Sequence, residues 1–291
     1  MPRITGLKSD SDLHDAESLW KAAFTAQARM GRLSVVRNNQ RIEISEPGQP
    51  FALAFLSDLH FGSAGTDYRQ AKKDAELIRD TPRLYAIYHG DGIDNWITGK
   101  LMRLQRGQVL EFDGEIQLFA AWIELLKGKL VAAVSGNHEN WTHVLSGFDR
   151  IREALRGTQT LVDRHEVIFD LAHGKKEWKV KVRHYYKYFS VFNPTHSIEV
   201  NWERGGTEFD IGVGGHTHIG TLCRPFYRQG RKRFAILTGT YKVSDEYGRQ
   251  IAAAPSMDRG CGALVFSRHG LFWSENLQIA AGFLGYLFDG R

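Results

Sequence analysis

The chain has 291 residues, 42% of them hydrophobic and 24% charged. These are ordinary values for a soluble globular protein, and the length is enough to bury a core without disulfide or metal staples. Its two cysteines, Cys223 and Cys261, form no CxxC pair, so no disulfide framework is implied; of a single bridge between them and two free thiols, the free thiols are the expectation. A formal net charge of +5 and a pI of about 9.1 fit an anionic partner without naming one.

The N-terminal residues lack the apolar stretch of a secretory signal, and no run of 18 apolar residues occurs. A cytoplasmic protein with no membrane partner is expected. Residues 11 to 30 read as a helix, capped by Ser11, with Asp12 and Asp15 at its positive end and Gly31 as its stop. Two short strands, Leu33 to Arg37 and Arg41 to Ile44, read as a hairpin about Asn38. With the break at residues 46 to 50, residues 1 to 50 are expected to form an extension that serves as an oligomerisation arm, a cap or a partner-binding segment. Residues 51 to 291 are expected to form the main domain.

Phe51 to Leu56 is a strand-length run, apolar at both parities, as in a sheet covered on both faces. A helix over Tyr68 to Arg79, a strand over Leu84 to Tyr88, a helix over 115 to 127 and a strand over Leu130 to Val134 follow. This is βαβ alternation. Farther on, Val167–Leu171, Trp178–Val182, Phe209–Val213, Phe234–Leu237 and Gly262–Phe266 read as strands. No internal repeat or low-complexity tract interrupts them.

Each early strand runs into polar residues that can bind metal. Asp58 and His60 follow the first. Gly90–Asp91–Gly92–Ile93–Asp94 follows the second, and Gly136–Asn137–His138–Glu139 the third. His216 and His218 stand behind two glycines that let the backbone approach closely. Such O/N donor sets suit Mn, Fe or Zn, and two ions together clamp a phosphate ester. Asp91 can bridge two ions. His138 sits where imidazole acts as a general acid, and Asp94 is expected to accept a hydrogen bond from it and raise its pKa.

The ordered set DLH, GDGID, GNHE, RH and GHTH resembles the calcineurin-like metallophosphoesterase superfamily over roughly residues 51 to 270. The resemblance implies a four-layer α/β/β/α sandwich of two mixed sheets flanked by helices. It implies one metal on Asp58, His60 and His218 and another on Asn137, His184 and His216. Asp91 would bridge them, and a hydroxide between the ions would attack phosphorus while His138 protonates the leaving oxygen. Manganese is the favoured metal. For the fifth motif the chain offers His173, His184 and His196. Strand-end position favours His184 over His196, although Tyr185 stands where the family usually has glycine, and His173 falls in a turn.

Asn95 stands where the phosphoprotein phosphatases carry a phosphate-gripping arginine. That leans the expectation toward a phosphodiester, with Asn95 and His138 facing the substrate and nucleic acid as one candidate. Arg224 to Phe234 interleaves five cations with three aromatics, a pattern that suits either a nucleic-acid track or a solvated hairpin. Lys100, Arg103 and Arg106 are candidates for the same basic rim. A phosphomonoesterase on a nucleotide or phosphoprotein, and a non-catalytic scaffold of the same fold, are the rival readings.

Overall fold

The computed structural model describes residues 16–33, 40–44, 46, 48–97, 107–243 and 260–288. The chain divides into two compact units, residues 1–38 and 39–291. The first contains helix α1 (Ala16–Leu33), which continues through Gly31 rather than stopping there. Ser11, Asp12 and Asp15 lie outside the described residues. So do Lys100, Arg103 and Arg106.

The second unit carries two six-stranded sheets. The first is built around β2 (Phe51–Leu56), β3 (Leu84–Tyr88) and β4 (Leu130–Val134), which are mutually parallel. Short β5 (Leu161–Asp163) extends it beyond β4. Antiparallel β11 (Gly262–Ser267) and β12 (Gly270–Ser274) extend it beyond β2. The second sheet runs in the order β1 (Gln40–Glu43), β6 (Val167–His173), β7 (Lys176–Val182), β8 (Ile211–Gly214), β10 (Arg231–Leu237), β9 (Leu222–Arg228).

Of the hairpin expected at residues 33 to 44, Leu33 belongs to α1, and residues 34 to 39, with most of the first strand and the turn, lie outside the described residues. β1 pairs in parallel with β6, Gln40 opposite Phe169, so residues 40 to 44 join the main unit through a distant strand. Local alternation revealed a strand there but not its partner.

Side-chain parity explains the layering. In β2, Ala52, Ala54 and Leu56 face a helical layer formed by α2 (Tyr68–Asp80), α3 (Phe112–Leu125) and α7 (Leu277–Phe288). Phe51, Leu53 and Phe55 face the other sheet and meet Phe169, Leu171, Val180, Val182 and Val213 there. The outer face of the second sheet is covered by α6 (His196–Arg204), whose Ile198 and Trp202 pack with Tyr186, Phe209 and Phe226. The result is the expected helix–sheet–sheet–helix sandwich. The apolar tail Ile279 to Phe288 belongs to α7, and no helix among the described residues is long and apolar enough to cross a membrane.

Two further short helices, α4 (Asn137–Ser146) and α5 (Arg150–Ala154), follow β4. The parallel strands β2, β3 and β4 of one sheet and β7 and β8 of the other send their C-terminal ends to one edge of the sandwich. That edge holds every expected ligand.

Candidate metal centre

Backbone conformation sets this edge apart. Ten non-glycine residues among those described have positive φ, and six belong to the strand-end motifs: Asp58, His60, Asp91, Asn95, His216 and His218, with φ between 49° and 72°. Such conformations cost energy and persist where surrounding contacts enforce them, typically at functional sites. Here they bring the side chains of Asp58, His60, Asp91, His216 and His218 out of strand alternation and together at one edge.

Asp91 is buried, and its two oxygens have different tasks. Oδ1 accepts the His138 backbone N–H at 3.0 Å. Oδ2 faces His184 Nε2 at 3.1 Å, His138 Nε2 at 3.8 Å and His60 Nε2 at 4.0 Å. Asp58 divides its oxygens in the same way. Its Oδ2 accepts the Ser57 hydroxyl and the His216 backbone N–H, while Oδ1 faces His218 Nε2 at 2.9 Å and His60 Nε2 at 3.8 Å. One oxygen of each carboxylate is spent on fixing the loop, and the other is presented to the centre.

The histidines are oriented by their second nitrogens. His60 Nδ1 donates to Asp94 Oδ1 at 2.8 Å, and His184 Nδ1 donates to the His89 carbonyl at 2.8 Å. Each Nε2 is then left as the lone-pair donor, the arrangement that orients metal-binding imidazoles. His60 Nε2 lies 3.1 Å from His218 Nε2. His184 Nε2 lies 3.1 Å from Asn137 Oδ1 and 3.2 Å from His216 Nδ1.

Donor atoms gathered at these spacings match the edges of a coordination polyhedron, roughly 3.0–3.4 Å for metal–ligand bonds near 2.1 Å. The residues therefore fit two divalent ions: Asp58, His60 and His218 for one, Asn137, His184 and His216 for the other, with Asp91 between. His196 begins α6 on the surface, and His173 lies at the β6–β7 turn, so neither joins the cluster.

Glycine permits this closeness at two points. A Cβ on Gly136 would run into Asp91, and one on Gly215 would run into Ser57 and Asp58. Glu139, at the start of α4, ties the loops together. Its Oε2 accepts the backbone N–H of Asp91 at 3.0 Å and of Gly136 at 2.8 Å, while Oε1 accepts Gly92 N–H at 2.6 Å.

Two expectations are corrected. The Asp94 carboxylate does not meet His138. Four donors saturate it: His60 Nδ1 and Lys242 Nζ on Oδ1, both at 2.8 Å, and Trp96 Nε1 at 2.9 Å and Gln108 Nε2 at 2.7 Å on Oδ2. Asp94 thus orients the ligand His60, and His138 Nδ1 donates to the Asp94 backbone carbonyl instead. Burial pushes His138 down to about 4 despite the charge of Asp91 nearby, which stands beyond hydrogen-bond distance of its ring. Asn95 does not face substrate. It is fully buried, and its amide donates to the His138 carbonyl and, at 2.9 Å, to Thr142 Oγ1. It latches the β3 loop to α4.

In the metal-free cluster the buried carboxylates act on His60 and His184. Burial and Lys242 lower His60, but Asp58 and Asp94 carry it up to about 9. Burial lowers His184, but Asp91 and Asp58 carry it up to about 10. Burial raises Asp58 and Asp91, but His218 and His184 beside them hold both well below the usual carboxylate range.

Sequence reading missed Lys242, Trp96 and Trp141. Lys242 lies just past the end of β10, the next parallel strand after β8, so the rule that located the ligands would have reached it. The Trp141 ring lies 4.2 Å from His138, and Trp96 lies 4.9 Å from it on another side. The basic segment 224 to 234 is the β9–β10 hairpin. Phe226 is buried, Arg228 pairs with Glu203 at 2.6 Å, and buried Arg233 pairs with Asp210 at 2.6 Å. Most of its cations are thus engaged in holding the sheet edge.

No family model and no curated protein matches the chain. Solved structures similar to it include the calcineurin-like phosphoesterase YfkN from Bacillus subtilis (12% identity, TM-score 0.34, covering 83% of this chain and 99% of that one). A metallophosphoesterase from Sphaerobacter thermophilus (12%, 0.37, 77% and 86%) and Vps29 of Chaetomium thermophilum (10%, 0.36, 77% and 96%) are similar as well.

Proposed function

We propose that this protein is a dinuclear metal-dependent phosphoesterase that prefers a phosphodiester. The observation that carries the reading is Asp91 Oδ2, turned toward histidines of two donor clusters whose atoms stand at coordination spacing. Two bound dications, manganese favoured for this O/N donor set, would polarise the phosphoryl oxygens and supply hydroxide as nucleophile at neutral pH.

The chain's own residues supply the rest. His138 is held by the Asp94 carbonyl at Nδ1, so its Nε2 faces the centre beside Asp91 and can carry the proton for the leaving oxygen. A bound phosphate anion favours the imidazolium against the downward pull of burial. Trp96 and Trp141 screen this ring from bulk water. The diester preference is supported by the position after Asp94, where buried Asn95 offers no cationic fork for a dianion.

Turnover with added Mn on bis-aryl phosphate, aryl monophosphate, cyclic nucleotides and single-stranded DNA tests the reading. The diester is expected to exceed the monoester, and the reverse order would favour a phosphomonoesterase. His138→Ala is expected to lower kcat on the diester by about 10²–10⁴-fold while bound metal stays unchanged. Unchanged turnover would remove His138 from the mechanism.

A further inference from the structure

The segment between β7 and α6 presents a feature that hydrolysis of a small ester does not need. It leaves the metal centre directly from His184 and carries Tyr185, Lys187, Tyr188, Phe189, Val191 and Phe192 on its exposed side. Phe192 is 99% exposed, and Tyr185 and Tyr188 are about half exposed at 49% and 50%. Tyr186, between them, is turned the other way. It is buried against Ile198, Trp202, Phe209 and Phe226, so the loop is anchored by one ring while it displays four others.

Position distinguishes this loop from a stray apolar patch. The Tyr185 ring stands 5.1 Å from the His216 ring at 73°, against the exposed side of the second donor cluster. A phosphate held at that cluster would lie on the side of the His216 ring where Tyr185 stands. Charge points the same way. From Arg183 to Ile198 there is no Asp or Glu. Lys187 Nζ lies 5.3 Å from the Tyr188 ring centroid, and Arg224, across from the loop, donates to Asn193 Oδ1 at 2.5 Å. Rings spaced along a loop with cations among them form a surface on which bases stack while the backbone phosphates are neutralised.

We infer that Tyr185 to Phe192 is a stacking platform for the bases of a single-stranded nucleic acid whose phosphodiester lies at the metal centre. The inference rests on the phosphoesterase reading and names its substrate class. The strand would run from the donor cluster outward along the loop. Tyr185 would stack on the base nearest the scissile phosphate, and Tyr188, Phe189 and Phe192 on those beyond. Stacking reads any base, so recognition would be tolerant of sequence and sensitive to strandedness.

The test is binding of a fluorescein-labelled single-stranded 12-mer, followed by anisotropy on Mn-loaded His138→Ala protein so that the strand persists. Y188A, F189A and F192A, each in that background, are expected to weaken binding by about tenfold, as for loss of a stacked base. K127A, an exposed cation just past the end of α3 that pairs with Glu124, is expected to leave it unchanged. A duplex of the same sequence is expected to bind more weakly. Metal content and thermal midpoint of each variant establish that it folds.

Equal affinity of all variants, or no measurable binding of the strand, overturns the inference. So does Phe192-dependent sedimentation with phosphatidylcholine–phosphatidylglycerol vesicles in place of strand binding, which would make the loop a membrane contact. Wild-type turnover of bis-aryl phosphate separates the two levels. If it is absent, the phosphoesterase reading fails. If it is present while the loop variants bind like the parent, only the platform fails.

Discussion

The two sheets contribute unequal halves to the metal centre. Asp58, His60 and Asp91, from the β2 and β3 loops, are buried, and each is held by a partner behind it. His216 and His218, from the β8 loop, are exposed and partly exposed, and the hydrogen-bond partners of the His218 ring among the described residues are members of the cluster. His184 is intermediate in character, buried and fixed by the His89 carbonyl. One half is a rigid floor, and the other is an open side through which a phosphate ester and its organic group can enter. Buried polar groups that are fully satisfied specify geometry, whereas exposed ligands leave room for substrate.

The sharpest way to break this comparison is at the shared residue. Asp91→Asn removes the charge that lies between the two clusters. Loss of both bound metal, measured by elemental analysis, and all measurable turnover is expected. Retention of two ions per chain would show that the halves assemble without a bridge.

The next largest effect separates floor from opening. His60→Ala leaves Asp94 and Lys242 buried beside an empty position. Breaking a buried charged network costs about 3–5 kcal/mol. His216→Ala removes an exposed ring, and a surface change of that kind falls within about 0.5 kcal/mol. Urea unfolding of the two metal-free variants measures the difference, and equal destabilisation would show that the second half is as rigid as the first.

Lys242 sharpens the same point. Its ammonium holds Asp94, which holds His60. Lys242→Met keeps much of the side chain's bulk and removes the ion pair. Outer partners of metal ligands typically contribute about 10–100-fold in affinity, so Mn affinity by titration calorimetry is expected to fall by that amount. Conversion to Arg would restore part of it if charge is what matters.

How much of this was legible in the sequence follows the same division. Every proposed ligand stands at a strand end, where the βαβ rule places polar loop residues at one sheet edge, so the residues that gather there could be named in advance. The all-apolar run of Phe51 to Leu56 marked a sheet covered on both faces, as found. What escaped was contact across long separation. Lys242 reaches Asp94 over 148 residues, and its place after β10 points to the edge without saying which carboxylate it meets. Asp94 and Asn95 were misassigned for a related reason. Their spacing put them near His138, but only packing decides which oxygen faces which ring. β1 was recognised as a strand, but its parallel pairing with β6 leaves no turn signature and went unread; the partner expected over Leu33 to Arg37 lies, beyond Leu33, outside the described residues.

The smallest expected effect tests whether the floor's rigidity extends into the helical layer behind it. Asp74 on α2 is buried and accepts the Tyr241 hydroxyl at 2.9 Å and the Gln70 amide at 2.8 Å. Tyr241 in turn donates its backbone N–H to the Asp58 carbonyl at 3.0 Å, so this carboxyl supports the metal loop from outside. Burial outweighs these hydrogen bonds and pushes Asp74 up to about 6 from an ordinary 3.8. A carboxyl raised in the folded state binds its proton more tightly there than in the unfolded chain. Its burial therefore costs little below pH 4, and the cost grows as pH rises through 6. Asp74→Asn removes the ionisation and keeps a carbonyl acceptor. Relative to wild type, the variant is expected to gain roughly 1–2 kcal/mol between pH 4 and pH 7. Denaturant midpoints of both proteins across that range read the difference. A constant offset would mean that Asp74 titrates normally and that the support behind Asp58 does not depend on its charge.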